Sequence, residues 1–283
     1  MHYLLATWDG GGTVPIDLGI ARALVDRGHT VTALADPTMA AEVVAAGAAF
    51  VPWREAPHRR STAPEDDILK DWEVRRRPIA LLRRVSDRLL TGPAAAFARE
   101  TDAEIGRHRP DVVLVDAAIL GPMIAAEAAG LPTVAIVPGC YILPTPGGPP
   151  FGLGLRPART ALGRTAYDLV NGAVRQAWRS GLPRLNSARA EVGLEPLADP
   201  FDQLRSCAAV LVTTAAAFDF PASCPTTSAT WVRSWWTRPG PHRRRCRTSR
   251  RTGRWSSPRS RRRSSPSRST CCDASWPPWT RCR

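Results

Sequence analysis

Two places in this sequence put reactive side chains where an apolar run gives way to a turn. The first is Asp9-Gly10-Gly11-Gly12-Thr13, which follows the short run HYLLAT. Glycines let a backbone approach a ligand closely, and the start of a helix favours a phosphate or a developing negative charge. The stretch is neither GxGxxG nor a P-loop, since the GK[ST] signature is missing. A tight structural turn fits it as well as a ligand loop does. The second place is Asp116, closing the run DVVLVD. A carboxylate there acts as a general base, orients one, or caps the next helix. The histidines offer less, because His29 falls at a helix–strand junction and His58 and His108 stand among polar neighbours. No HExxH, Cys/His cluster or carboxylate cluster suggests a metal. No Gly-x-Ser-x-Gly elbow suggests a serine hydrolase.

The elements that must hold these residues alternate between strand and helix. HYLLAT reads as a buried first strand. Apolar residues at Ile16, Ile20, Ala23 and Leu24 then mark one face of a helix, with Pro15 in its first turn and Gly28 after its end. TVTALAD, AAFVPW, PDVVLVD, PTVAIV and AAVLVTT supply further strands, with helices through PTMAAEVVAAG, from about Pro78 to His108, through GPMIAAEAAG and through ALGRTAYDLVNGAVRQAW. Residues 54–77 read as a polar, mobile surface loop, and Tyr141–Phe151 belongs to a long Pro/Gly-rich one. Such alternation predicts an α/β fold, a Rossmann-like doubly wound parallel sheet. Ligands in open sheets of this kind bind at the carboxyl ends of the strands, where both candidate acids fall.

Composition divides the 283 residues unevenly. Residues 1–223 hold 23 Lys+Arg against 24 Asp+Glu, a net of −1, whereas residues 224–283 hold 16 Arg and a single acid, Asp273, a net of +15. The body has two cysteines, Cys140 and Cys207, in no disulfide or CxxC arrangement, as expected of a reducing, cytoplasmic compartment. The opening MHYLLATWDGGG has no basic segment before a long apolar core, so no signal peptide is expected. The apolar runs are too short for a transmembrane segment.

The last 60 residues contain no Leu, Ile, Phe, Tyr, Met, Lys, Glu, Asn or Gln, which is abnormal for a folded domain. Their Arg, Ser, Pro, Trp and Cys are what GC-rich DNA yields when translated out of register. The single lysine of the body, Lys70, against 22 arginines fits a GC-rich gene. Tryptophan has one codon, so a one-base shift has forced outcomes: Trp231–Val232 gives Gly, Trp235–Trp236 gives Val and Trp236–Thr237 gives Asp. With permissive third bases, residues 223–237 become LPDNVRYVGPVLVD, a polar turn and then a strand. The stretch 270–283 becomes approximately LLRRVLAALDALP, with leucines at helical spacing. The expectation is one lost base near Ser223, leaving a disordered Arg-rich tail at 224–283. The rival expectation is a real basic arm that binds phosphate backbones.

The ordered motifs resemble a known family. GGGTVPIDLGIARALVDRGHTVTALAD is similar to the opening of GT-B glycosyltransferases, the family of macrolide, glycopeptide and UDP-glucuronosyl transferases. PDVVLVDAAILGPMIAAEAAGLPTVAIV resembles their later strand–helix–strand, and FDFPA followed by the shifted LPDNVRYVGPVL resembles their domain junction. The likeness covers nearly all of residues 1–223. It implies an N-terminal acceptor-binding domain that would face a C-terminal nucleotide-sugar domain across a cleft. It also implies a UDP- or dTDP-sugar-dependent hexosyltransferase acting with inversion on a hydroxyl of a small natural product or lipid. The nucleotide-sugar is then a co-substrate, and neither cofactor nor metal is needed.

Two departures qualify the resemblance. Where many members carry a catalytic His in G-H-x-x-P, this chain has Gly12, so a base must come from elsewhere. Asp9 is the first candidate, and Asp116, which matches the acid that in some members pairs with that His, is the second. Gly10, Gly11, Gly12, Thr13 and Tyr141 are expected around the acceptor and donor, with the 54–77 loop lining the acceptor pocket. The second departure is the absent donor domain, about 100–200 residues on ordinary domain sizes. Transfer needs the reacting atoms within about 3–3.5 Å, so the chain as written is expected to be inactive. A nucleic-acid partner is not expected on this reading. The alternatives are a nucleotide-sugar epimerase of similar fold, or an α/β domain whose Arg-rich tail genuinely binds nucleic acid.

Overall fold

The computed structural model describes residues 1–74, 77–139, 149, 156 and 158–214. Tyr141 and the segment 224–283 lie outside the described residues. Among the described residues six strands form one parallel sheet: β1 (His2–Ala6), β2 (Thr30–Ala35), β3 (Ala49–Pro52), β4 (Val112–Asp116), β5 (Thr133–Val137) and β6 (Ala209–Val212). Their spatial order is β3-β2-β1-β4-β5-β6. Tyr3 pairs with both Val31 and Val112, so β1 lies in the middle and the chain reverses its direction of winding between β1 and β4. This is the doubly wound α/β architecture expected from the alternation, and that reversal is the switch point at which such sheets open a crevice.

Side chains alternate between the two faces, as the period of a strand requires. On one face Leu5, Val31, Ala33, Ala35, Leu114 and Ile136 pack against α1 (Val14–Val25) and α2 (Ala40–Ala45). On the other, Ala6, Leu34, Val113, Val115, Ala135 and Val137 pack against α4 (Ala94–His108), α5 (Gly121–Ala128), α7 (Leu182–Glu191) and α8 (Asp202–Arg205). With both faces covered, the strands read as continuous apolar runs, and that is why they are legible. Each fully buried Leu, Ile or Phe contributes roughly 1.5–3 kcal/mol.

Three local expectations need correction. The helix expected from Pro78 to His108 is two helices, α3 (Pro78–Val85) and α4, separated by a wider π turn over Ser86–Leu90 and a break at Thr91–Pro93. Ser86 Oγ and Thr91 Oγ1 lie 2.8 Å apart across that turn and are buried, whereas Asp87 and Arg88 between them are exposed. Pro93, unable to continue a helix from behind, starts the next one. The buried face of α1 is Val14, Asp17, Leu18 and Ala21, whereas Ile16, Ile20 and Leu24 are only half-buried at its margin. Helices α7 and α8, between α6 (Ala161–Arg179) and β6, are not announced by the sequence pattern. α6 itself has no buried residue; near its end Trp178 meets Phe201 edge-on at 6.0 Å. Among the described residues no helix is long and apolar enough to cross a membrane.

Candidate functional site

The chain leaves β1 at Thr7 and turns through Trp8-Asp9-Gly10-Gly11-Gly12 into α1. Gly10 N–H donates to Trp8 O at 2.9 Å, and Gly11 adopts φ +67°, the left-handed region that suits glycine. Gly10 has a second reason to be glycine. A Cβ there would stand 2.7 Å from Thr13 Oγ1 and 2.8 Å from the Trp8 ring. The loop therefore folds down onto its own tryptophan. Thr13 precedes α1, but its side chain makes no cap hydrogen bond. Gly11 and Gly12 are exposed.

Asp9 stands on the β2 side of this loop. Its carboxylate accepts from Thr38 Oγ1 at 2.8 Å and from Gly11 N–H at 3.2 Å, and lies 3.7 Å from the Arg59 guanidinium. Beneath it, Asp36 at the end of β2 accepts the backbone N–H of Asp9 at 3.1 Å and of Arg59 at 2.9 Å. One buried carboxylate thus fastens the glycine loop to the segment that follows β3. Burial pushes the Asp36 carboxyl up to about 6. The two N–H donors hold it down and the Asp9 carboxylate adds repulsion. The same segment is tied a second time by Glu100 of α4, whose carboxylate accepts the N–H groups of Arg54, Glu55 and Ala56 at 2.8, 2.8 and 2.6 Å. Trp53 Nε1 donates to Thr7 O at 2.7 Å, and the ring meets Phe97 edge-on.

Asp116 is placed differently. It closes β4 and is 1% exposed. Its Oδ1 accepts the Ala118 N–H at 2.8 Å, a local turn that does not cap α5, which starts after Leu120 without a side-chain cap. Facing it is Asp17 of α1, wholly buried, whose Oδ2 accepts from Thr7 Oγ1 at 2.5 Å. Burial raises both carboxyls, Asp116 to about 6 and Asp17 well above the usual range, where the neighbouring Asp116 carboxylate pushes it further. Asp17 Oδ1, Asp116 Oδ2, Trp8 Nε1 and Thr13 Oγ1 are all buried without a hydrogen-bond donor or acceptor in ordinary geometry. The Trp8 N–H is near enough to lower the Asp116 carboxyl but is not aligned into a formed bond.

The fold therefore places both sequence-derived acids at the switch point, on opposite flanks of the glycine loop. Asp9 is at the rim with a side chain 14% exposed, and Asp116 lies below. Asp17, Asp36 and Glu100 join them only in the structure. Asp17 carries a readable signal, since an acid sits at the i+3 position of the apolar series Val14, Leu18, Ala21. Asp36 and Glu100 give none, because their partners are backbone N–H groups supplied by distant loops. Residues 54–70 line an open groove of about 760 Å³ with the turn at 87–93. Its lining mixes four basic side chains, Arg54, Arg60, Lys70 and Arg88, with five acidic ones, Glu55, Glu65, Asp66, Asp67 and Asp87. Among the described residues no three His, Cys, Asp or Glu side chains are grouped to hold a metal.

Comparison with known proteins gives the following. No family model matches the chain. It is 27% identical over 161 residues to a 4'-demethylrebeccamycin synthase of Lentzea aerocolonigenes, a match that takes in 57% of this chain and 38% of that protein. Among solved structures it is similar to the glycotransferase of kitacinnamycin, with a TM-score of 0.54 at 20% identity over 91% of this chain and 55% of that one. A weaker likeness is to the glycosyltransferase VinC solved with dTDP, with a TM-score of 0.48 and 19% identity over 80% and 52% of the two chains. The chain thus spans about half the length of these structures. Its fold is that of the matched part of the kitacinnamycin glycotransferase, the N-terminal Rossmann-like half of a GT-B arrangement.

Proposed function

We propose that residues 1–223 are the acceptor-binding half of a glycosyltransferase that moves a sugar from a nucleotide-sugar to a hydroxyl of a small natural product or lipid, with inversion. The observation that carries the reading is the fold shared with the kitacinnamycin glycotransferase over most of this chain. The 161-residue similarity to the demethylrebeccamycin synthase supports it. On this reading Asp9 is the base that takes the acceptor proton. Thr38, Gly11 and Arg59 hold its carboxylate at the rim of the crevice. Asp116, sealed beneath the loop, is out of an acceptor's reach and acts from below. The groove beside residues 54–70 admits the acceptor. The sugar donor is met by a second half of about 100–200 residues that residues 1–223 do not include. Without it no donor carbon comes within the roughly 3–3.5 Å that attack requires, and the 283-residue chain is inactive.

The test has two arms. Inserting one base near codon 223 and expressing the open frame that results is expected to give a chain that transfers sugar from a dTDP- or UDP-sugar. The 283-residue chain assayed beside it gives none. Transfer by the short chain would sink the account of the missing half. In the restored enzyme Asp9→Asn is expected to lower kcat at least ~100-fold, in the range of a lost general base. Unchanged turnover removes Asp9 from the mechanism.

A further inference from the structure

Two carboxyl oxygens beneath the glycine loop are left without a donor, one from each facing acid, Asp17 Oδ1 and Asp116 Oδ2. Their other oxygens are already satisfied, by Thr7 Oγ1 and by the Ala118 N–H. The groups acting on the pair are Thr7 and Trp8 from the end of β1, Ala118 beyond β4, and each other; no basic side chain is among them. Two bare carboxylates in such a place would be expelled or neutralised, because a buried charge without a partner loses its hydration and regains nothing. A single hydrogen atom between the two free oxygens resolves both deficits at once.

We propose that Asp17 and Asp116 form a proton-sharing acid pair, with the Asp17 carboxyl donating to the Asp116 carboxylate. Asp17 is thereby a positioning residue that fixes the floor of the glycine loop. The direction follows from the surroundings. Asp116 has the backbone N–H of Ala118 and the Trp8 indole N–H near it, both of which favour its charged form. Asp17 has one hydroxyl and the repulsion of Asp116. The pair ties α1 to β4 across the switch point, so the loop is anchored to both halves of the sheet. The inference stands on the buried cluster alone and does not depend on sugar transfer.

The experiment uses the purified 283-residue chain. A protonated carboxylic acid has a carbonyl infrared band well separated from that of a carboxylate. Wild type is expected to show one such band at pH 7, absent from Asp17→Asn, which removes the proton-bearing carboxyl, and shifted in Asp116→Asn, where that carboxyl donates to an amide oxygen instead. Thermal unfolding supplies the second readout. The amide introduced by Asp17→Asn retains an N–H donor for Asp116, so this variant is expected to match or exceed the wild-type Tm at pH 8. Asp17→Leu, of similar volume but without a donor, is expected to lower it by several degrees. Rescue by the amide but not by leucine marks a donor role that packing alone does not give. Absence of the band in wild type, its survival in Asp17→Asn, or equal Tm values for Asp17→Asn and Asp17→Leu would each overturn the proposal. If one variant fails to fold, the wild-type band and the other variant still decide.

Discussion

Two buried polar clusters in this molecule are made of similar residues and behave in opposite ways. On the α5–α7–α8 side, Arg189 is 4% exposed in its side chain and meets Glu127 through two N–H···O contacts of 2.8 and 2.9 Å. It also donates to Gln203 Oε1 at 2.7 Å and to Glu195 O at 2.8 Å, while Gln203 Nε2 returns a bond to Glu127. Burial works to raise the Glu127 carboxyl, yet Arg189, Gln203 and Ser206 hold it below its usual range. Under the glycine loop, Asp17 and Asp116 have no cation, and both rise. The first cluster is saturated with partners and fixes three helices together. The second is short of donors and sits where the sheet opens. A saturated polar network builds structure, whereas a deficit maintained by the fold marks a place where protons are managed.

The sharpest way to break this contrast is to remove the acid from the saturated side. Glu127→Ala leaves a buried guanidinium without its counter-charge and is expected to cost roughly 3 kcal/mol, read from denaturant unfolding. A loss near zero would mean the network is ornamental. Asp36 is the next lever. Its carboxyl is raised from 3.8 to about 6 in the folded chain. The folded state therefore binds this proton more tightly than the unfolded one, and the associated stability is present below about pH 4 and lost as pH rises to about 6. Asp36→Asn is expected to flatten that slope by about 1–3 kcal/mol, measured as unfolding free energy across the same window. At the loop cluster the sign inverts. Asp17→Asn keeps a donor to Asp116 and removes the cost of holding a buried carboxyl protonated at pH 8, so it is expected to stabilise by about 1 kcal/mol, where Glu127→Ala only destabilises. An effect of the same size and opposite sign is expected from Gly10→Ala, a loss of about 1 kcal/mol as the Thr13 hydroxyl and Trp8 give way. It should be accompanied by a change in tryptophan fluorescence as that ring is displaced.

How much of this can be read in the sequence follows the same division. Strands β1, β2, β4 and β5 stand out because both their faces are covered and their residues are mostly apolar, with polar side chains at the ends and at Thr32. Asp9 and Asp116 stand out because they end such runs. Tertiary arrangement hides the rest. The break at Thr91–Pro93 falls inside a run whose apolar spacing continues on both sides. α7 is so polar, with Arg184, Asn186, Arg189 and Glu191, that only its partners make it a core helix. Asp17 is obscured by a competing stripe of α1. The frame Ile16, Ile20, Leu24 is periodic too, and an acid on the neighbouring stripe argues against choosing that one. Asp36 holds its place through N–H groups of residues 9 and 59, a pairing that no local pattern announces.

The strand order also bears on how the molecule comes into being. β1, β2 and β3 are joined by short crossovers and can assemble from the first fifty or so residues, whereas β1 must wait for β4, Tyr3 beside Val112, before the sheet is whole. Closing so long a loop is slow and loses entropy before any contact rewards it. The crevice lies on this seam. As the chain leaves the ribosome, the glycine loop is made early and its floor, Asp116, arrives late, so the site is assembled when the two halves of the sheet meet and not before.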